Sequence, residues 1–149
     1  MADQDIRIQA EDFDVGVETG ALTKGRSDAG AVVTFLGQVR GDDALKSMRL
    51  EHYPAMTARE IGRHIEEAKR RWPLLCVRII HRIGELKPGE NIVFVGVASA
   101  HRRAAFEAAD FLMDYLKTSA PFWKFEQRGD DGNWVEACGD DNDALKRWR

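Results

Sequence analysis

Cysteine is scarce in this chain: Cys76 and Cys138 lie far apart and without a Cys-x-x-Cys spacing. Two thiols so placed exclude a disulfide framework and suggest no thiolate zinc site. Histidine is nearly as sparse. His52, His64, His81 and His101 include no pair at metal-binding helical spacing and no His-Glu-x-x-His motif, so neither a metal nor a cofactor is expected. No segment reaches the roughly 18 apolar residues of a membrane span. The opening Met1-Ala2-Asp3-Gln4-Asp5-Ile6-Arg7 has no apolar run of signal-peptide length, so a cytoplasmic location without membrane contact is expected. An excess of positive charge is missing too. A formal net charge of -3 argues against a surface built throughout to neutralise nucleic-acid phosphates, yet it permits a small cationic pocket.

What is present is the composition of an ordinary soluble globular protein, with 44% hydrophobic and 32% charged residues. A chain of 149 residues buries roughly two-thirds of its surface around one core, so a single domain over 1–149 is expected. Asp28 to Arg40 combines β-branched and aromatic residues and reads as a largely buried strand. After a short polar loop, 41–47, the alternation from Met48 to Tyr53 marks a half-exposed strand, and these two strands are expected to pair. Pro54 ends the second, and Thr57-Ala-Arg-Glu60 reads as a capping box opening a helix to about Trp72. Ile61, Ile65, Ala68 and Trp72 form its core stripe.

Leu74–Leu86 and Asn91–Ser99 flank the turn Lys87-Pro-Gly-Glu90 and suggest a hairpin of central strands. His101 to Thr118 is expected as a buried helix, with a stripe of Phe106, Ala109, Met113 and Leu116 widened by Ala105, Ala108 and Leu112. Phe122–Arg128 and Asn133–Ala137 around Gly129-Asp-Asp-Gly132 read as a last hairpin, before a short C-terminal helix. The class that follows is α+β, a mainly antiparallel sheet with packed helices.

Chemistry is less legible. His101, Arg102 and Arg103 crowd cations at a helix start that already carries positive partial charge, which favours a bound anion or surface partners. Lys117 in the last turn of that helix fits either the helix dipole or a site. Lys124, among the aromatics of Pro121–Phe125, fits either a stem laid over apolar rings or a site. Arg40, at a strand end before Gly41, fits an anion ligand or plain solvation. The basic residues of 59–71 alternate with Glu60, Glu66 and Glu67, as on a solvated face rather than a nucleic-acid footprint. Residues alone lead to a suspected anion site and two candidate lysines, and to no reaction.

Taken in order, Gly37-Gln-Val-Arg40, Leu50-Glu-His-Tyr-Pro54, His81-Arg-Ile-Gly-Glu85, Phe94-Val-Gly-Val97, Ser99-Ala-His-Arg102, Met113-Asp-Tyr-Leu-Lys-Thr118 and Ala120-Pro-Phe-Trp-Lys124 resemble the catalytic (large) subunit family of molybdopterin synthase. The likeness runs on to Ala144-Leu-Lys-Arg-Trp148. It implies a sulfurtransferase of molybdenum cofactor biosynthesis, converting cyclic pyranopterin monophosphate to the molybdopterin dithiolene. The donor implied is a small ubiquitin-like sulfur-carrier subunit with a C-terminal Gly-Gly thiocarboxylate, used twice per product, on either end of a large-subunit dimer. Position by position, the resemblance implies pocket residues Arg40, His101, Arg102, Lys117 and Lys124, lined by Gln38, Val39, Phe125 and Glu126. Lys117 is the expected acid/base group, since neighbouring cations favour a neutral amine, with Lys124 assisting or holding substrate. Arg40, His101 and Arg102 are expected to bind phosphate and pterin, and His101 can also shuttle a proton.

His101 and Lys117 stand sixteen residues apart on one expected helix, about 24 Å at 1.5 Å per residue. One small ligand does not span that distance, so a composite pocket across the dimer is expected. The 41–47 loop is shorter than the family's usual connection, and no contact is carried over onto it. The rival readings are a non-catalytic module for a ubiquitin-like protein's C-terminal tail and a small-anion or nucleotide-binding regulator.

Overall fold

The computed structural model describes residues 3–42, 44–118, 122–135 and 143–148. In chain order these form β1 (Asp3–Gln9), α1 (Val15–Ala21), β2 (Ala31–Gln38), β3 (Leu45–His52), α2 (Pro54–Arg71), β4 (Cys76–Arg82), β5 (Gly84–Leu86), β6 (Asn91–Ser99), α3 (Arg102–Thr118), β7 (Phe122–Arg128) and β8 (Asp131–Val135), with a 3-10 turn at Lys146–Trp148. The strands make two four-stranded sheets, ordered β1-β4-β6-β2 and β5-β3-β7-β8. Only β1 with β4 is parallel, so the class is α+β and mainly antiparallel, with two sheets where one was expected.

β4 and β6 pair antiparallel, Cys76 opposite Ala98 and His81 opposite Val93, as the hairpin reading requires. Their side chains alternate between faces. Val77, Ile79, Val93, Val95 and Val97 pack against Ile61 and Ile65 of α2 and Phe111 and Leu112 of α3. Cys76, Ile80, Phe94 and Ala98 meet Leu22 beyond α1 on the other side. Both faces are covered, which is why these strands read as continuous apolar runs. Arg82 fastens the far end of the sheet. Its Nη2 donates to the Ala10 carbonyl at 2.9 Å and its Nη1 to the Asn91 carbonyl at 3.0 Å, so the buried guanidinium is satisfied by main chain.

Several expectations are corrected. The 28–40 and 48–53 strands do not pair: β2 lies along β6, and β3 lies between β5 and β7. Nor is β2 buried. It is the edge of its sheet, with Val32, Phe35 and Leu36 exposed. The β4 run divides as well, because Gly84 at φ +85° lets the chain leave the first sheet and enter the second as β5. The helix expected from Thr57, α2, begins at Pro54 instead, with the proline in its first turn and Tyr53 as cap. Thr57 therefore sits a turn inside α2, fully buried, and caps nothing.

On α3 it is Phe111, not Phe106, that enters the core; Phe106 is 61% exposed. In the last hairpin Arg128 pairs with Asp131, so Gly129 and Asp130 make the turn and Gly132 belongs to the strand. Ala137, Cys138 and Pro121 lie outside the described residues. β1 and α1 were not foreseen at all. Gly30 requires its missing side chain: a Cβ there would stand 2.2 Å from the Ala100 carbonyl oxygen. That close approach sets the start of β2 beside the turn into α3.

Candidate functional site: a cation-lined cleft where the sheets meet

β7 leaves α3 after a short connection and pairs with β3, Lys124 opposite Leu50. Strand alternation then sends Phe122, Lys124, Glu126 and Arg128 to one face, and that face lines a cleft of about 510 Å³. Gln38, Val39, Arg40 and Asp42 come from the end of β2 and the loop after it. Leu116 and Lys117 come from the last turn of α3, and Met48, Leu50, His81 and Ile92 complete an apolar wall. The polar lining holds four basic side chains, Arg40, Lys117, Lys124 and Arg128, against the carboxylates Asp42 and Glu126.

The two carboxylates are occupied with one of those cations. Arg128 donates from Nη1 to Asp42 at 2.6 Å and from Nη2 to Glu126 at 2.8 Å. The Arg128 hydrogen bond, with the Ala44 and Leu45 amides, holds the Asp42 carboxyl below its usual range. The positive character facing the opening is therefore carried by Arg40, Lys117 and Lys124. An anion with an apolar neighbour suits such a lining.

Of the nine residues expected at the site, Gln38, Val39, Arg40, Lys117, Lys124 and Glu126 line this cleft. Phe125 does not. As an odd-numbered residue of β7 it faces the other way, edge-on to Trp134 at 5.2 Å and beneath Arg49 at 5.1 Å. His101 and Arg102 also lie elsewhere, exposed at the opposite end of α3. Among the described residues, the ion pair recorded at that helix start is Arg103 with Glu107, at 3.9 Å. The basic face of α2 is paired along its length, Arg63 to Glu60 and Arg70 to Glu67 among others, as a solvated face should be.

Of the polar lining, sequence reasoning missed Asp42, Arg128 and His81. Period-two spacing from Lys124 would have found Arg128 and excluded Phe125. His81 stood inside a quoted motif with no role attached. Its ring stacks on Phe122 with centroids 3.8 Å apart and 16° between planes. Its Nδ1 lies 2.9 Å from the Arg82 carbonyl oxygen. That oxygen can only accept, so Nδ1 carries the proton and Nε2 the lone pair. Burial pushes the imidazole pKa down to about 4, the charges of Lys117 and His52 push the same way, and the Arg82 hydrogen bond opposes them.

The folded value lies below the unfolded value near 6.5, so the unfolded chain takes up a proton in this window that the folded chain refuses. The contribution is present above about pH 6.5 and is lost as pH falls towards 4, on the order of 3 kcal/mol. His64, lowered mainly by burial, acts in the same direction. Denaturation midpoints measured at pH 7 and pH 4.5 should therefore fall steeply for the natural chain and less steeply for His81→Phe. Equal falls would remove His81 as the responsible group.

Fold and cleft together define an α+β protein with a cation-lined cleft between two sheets. The family model described as MoaE protein matches residues 8–119, and the chain belongs to that family. It is 58% identical over 147 residues to the molybdopterin synthase catalytic subunit of Mesorhizobium japonicum, covering 97% of this chain and 92% of that one. It superposes on the molybdopterin biosynthesis MoaE protein from Burkholderia ambifaria with TM-score 0.85 at 47% identity, over 99% and 98% of the two chains. A chain from a protein-protein complex of subunits 1 and 2 of the Helicobacter pylori molybdopterin-converting factor shares the fold, with TM-score 0.73 at 19% identity over 89% and 90%.

Proposed function

We propose that this protein is the sulfur-transferring catalytic subunit of a molybdopterin synthase, acting on cyclic pyranopterin monophosphate with a thiocarboxylated small subunit as donor. The observation that carries the reading is the cleft: Arg40, Lys117 and Lys124 beside the apolar wall of Met48, Leu50 and Ile92. The substrate's cyclic phosphate and the donor's thiocarboxylate are both anions, and an extended glycine-ended tail can lie along the apolar wall. In each transfer a carbon–sulfur bond forms on the pterin side chain as a carbon–oxygen bond at the same carbon breaks, its oxygen leaving as water or as a phosphate oxygen, and the donor's carbonyl–sulfur bond is then hydrolysed. Water supplies the oxygen that leaves the donor as a carboxylate. Lys117 serves as the proton-transfer group and Lys124 assists it, while Arg40 holds the phosphate and Gln38, Val39 and Glu126 shape the pocket. A cytoplasmic location accords with this role; among the described residues no helix is long and apolar enough to cross a membrane.

His101 and Arg102 join the site from a second copy. β2 begins opposite Ser99, two residues before His101, and ends at Gln38, two residues before Arg40. Among the described residues its outer edge has no strand partner, and Val32 and Phe35 are each 39% exposed. Eight extended residues span about 26 Å, close to the axial distance along α3. A two-fold antiparallel approach along β2 therefore brings His101 of the partner subunit to the Arg40 end of this one, and buries the edge.

The test is molybdopterin formation from purified protein, cyclic pyranopterin monophosphate and thiocarboxylated small subunit. Product is expected at several turnovers per site. Tight small-subunit binding without product would replace the enzyme with a tail-binding module.

A further inference from the structure

His81 has features that the reading above does not use. It is 8% exposed, yet it lines the cleft together with Leu116 and Lys117. Two contacts orient its ring: the Phe122 ring against its face and the Arg82 carbonyl on Nδ1. What remains is a lone pair on Nε2, held in a fixed direction beside a cationic lining. The groups whose charge reaches the ring are Lys117, at the end of α3, and His52, on the far side of Phe122. The cleft's carboxylates are engaged with Arg128. A neutral acceptor can hold an ammonium group without cancelling the positive potential that draws anions in, which a carboxylate at the same place would do.

We propose that His81 is the positioning residue for Lys117, its Nε2 lone pair accepting a hydrogen bond from the Lys117 ammonium and aiming it into the cleft. The assignment deepens the function proposed above and rests on it for its consequence in turnover, though not for the contact itself. Tautomer and stacking then serve one end: the side chain that moves the proton sits on a flexible stem, and a rigid ring gives it a single position.

Two substitutions separate the hydrogen bond from the packing. His81→Phe keeps the stacked ring and loses the acceptor; His81→Gln keeps an acceptor oxygen. The first readout needs no turnover. Labelling of Lys117 by an amine reagent at fixed pH, followed by mass spectrometry with Lys124 as internal reference, should be at least about threefold faster in His81→Phe and near the natural rate in His81→Gln. An unchanged Lys117 rate in folded His81→Phe overturns the assignment, whether or not the protein makes molybdopterin.

The second readout is kinetic. His81→Phe should lower kcat about tenfold or more with KM for the pterin little changed, His81→Gln should recover much of it, and in a Lys117→Ala background the His81→Phe change should add nothing. Multiplying effects of the two substitutions overturn the proposal. Failure of the natural protein to form product would instead reject the proposed function, and the labelling result would still decide the contact.

Discussion

Replacing Lys117 with alanine lowers molybdopterin formation by about two to four orders of magnitude, the range of a lost general acid/base group, and leaves small-subunit binding intact. Lys117 stands in the last turn of α3, next to the buried Leu116, where a long cationic side chain also complements the helix dipole. Truncation at an exposed last-turn position costs a few tenths of a kcal/mol in stability, too little to explain a loss of that size. The loss should appear in kcat, because proton transfer is felt in the transition state and scarcely in the ground state. Steady-state kinetics with a parallel binding titration on the folded variant decides it. Full activity would discard the lysine assignment and keep the enzyme; abolished binding would make Lys117 a docking residue. Lys124→Ala, on β7 across the same cleft, should lose less.

Two inactive variants should restore each other. His101→Ala and Lys117→Ala each disable every pocket when alone, if each pocket draws His101 from one subunit and Lys117 from the other. Mixed and allowed to exchange, half the dimers are heterodimers. Each heterodimer holds one pocket with both lesions and one with neither, so about a quarter of the natural activity returns. The physical premise is the length of α3: its start and its last turn cannot meet around one small molecule within a chain, and the cleft holds Lys117 without His101. Turnover is measured after co-refolding or slow subunit exchange. A mixture no more active than its components, with heterodimers present by mass spectrometry, would mean that His101 acts within its own chain or not at all.

Much of the architecture was legible because its signals are local. The apolar runs at 74–86 and 91–99 placed β4 and β6, and the three-four spacing placed α3 nearly to the residue and α2 to its C-terminal end. Misreadings fell where one local signal competed with another. Thr57 and Glu60 have capping-box spacing, but Pro54 with its fixed φ starts the helix a turn earlier. Phe106 belongs to the expected stripe by size, and the smaller Ala105 and Ala109 face the sheet in its place. β1 carries mixed charge around only two isoleucines, and α1 is seven residues long with two glycines, so neither presents a period long enough to read.

The candidate site divides in the same way. Motifs named Arg40, His101, Arg102, Lys117 and Lys124, and helix length alone separated His101 from Lys117. Strand parity, once β7 is registered against β3, excluded Phe125 and admitted Arg128. No local signal could attach His81 to the cleft, because its neighbour there, Phe122, is forty-one residues away in sequence and arrives from the other sheet.

The sequence by itself determined the α+β class, the positions of the long elements and the chemical types that the site employs, since periodicity, capping and side-chain charge are properties of short stretches. Tertiary structure alone decided which strands pair, that there are two sheets, which side of β7 faces the cleft, and that a buried imidazole stacked on Phe122 joins its lining. Those depend on contacts between segments far apart in the chain, where burial, register and the exclusion of water are set by the whole fold at once.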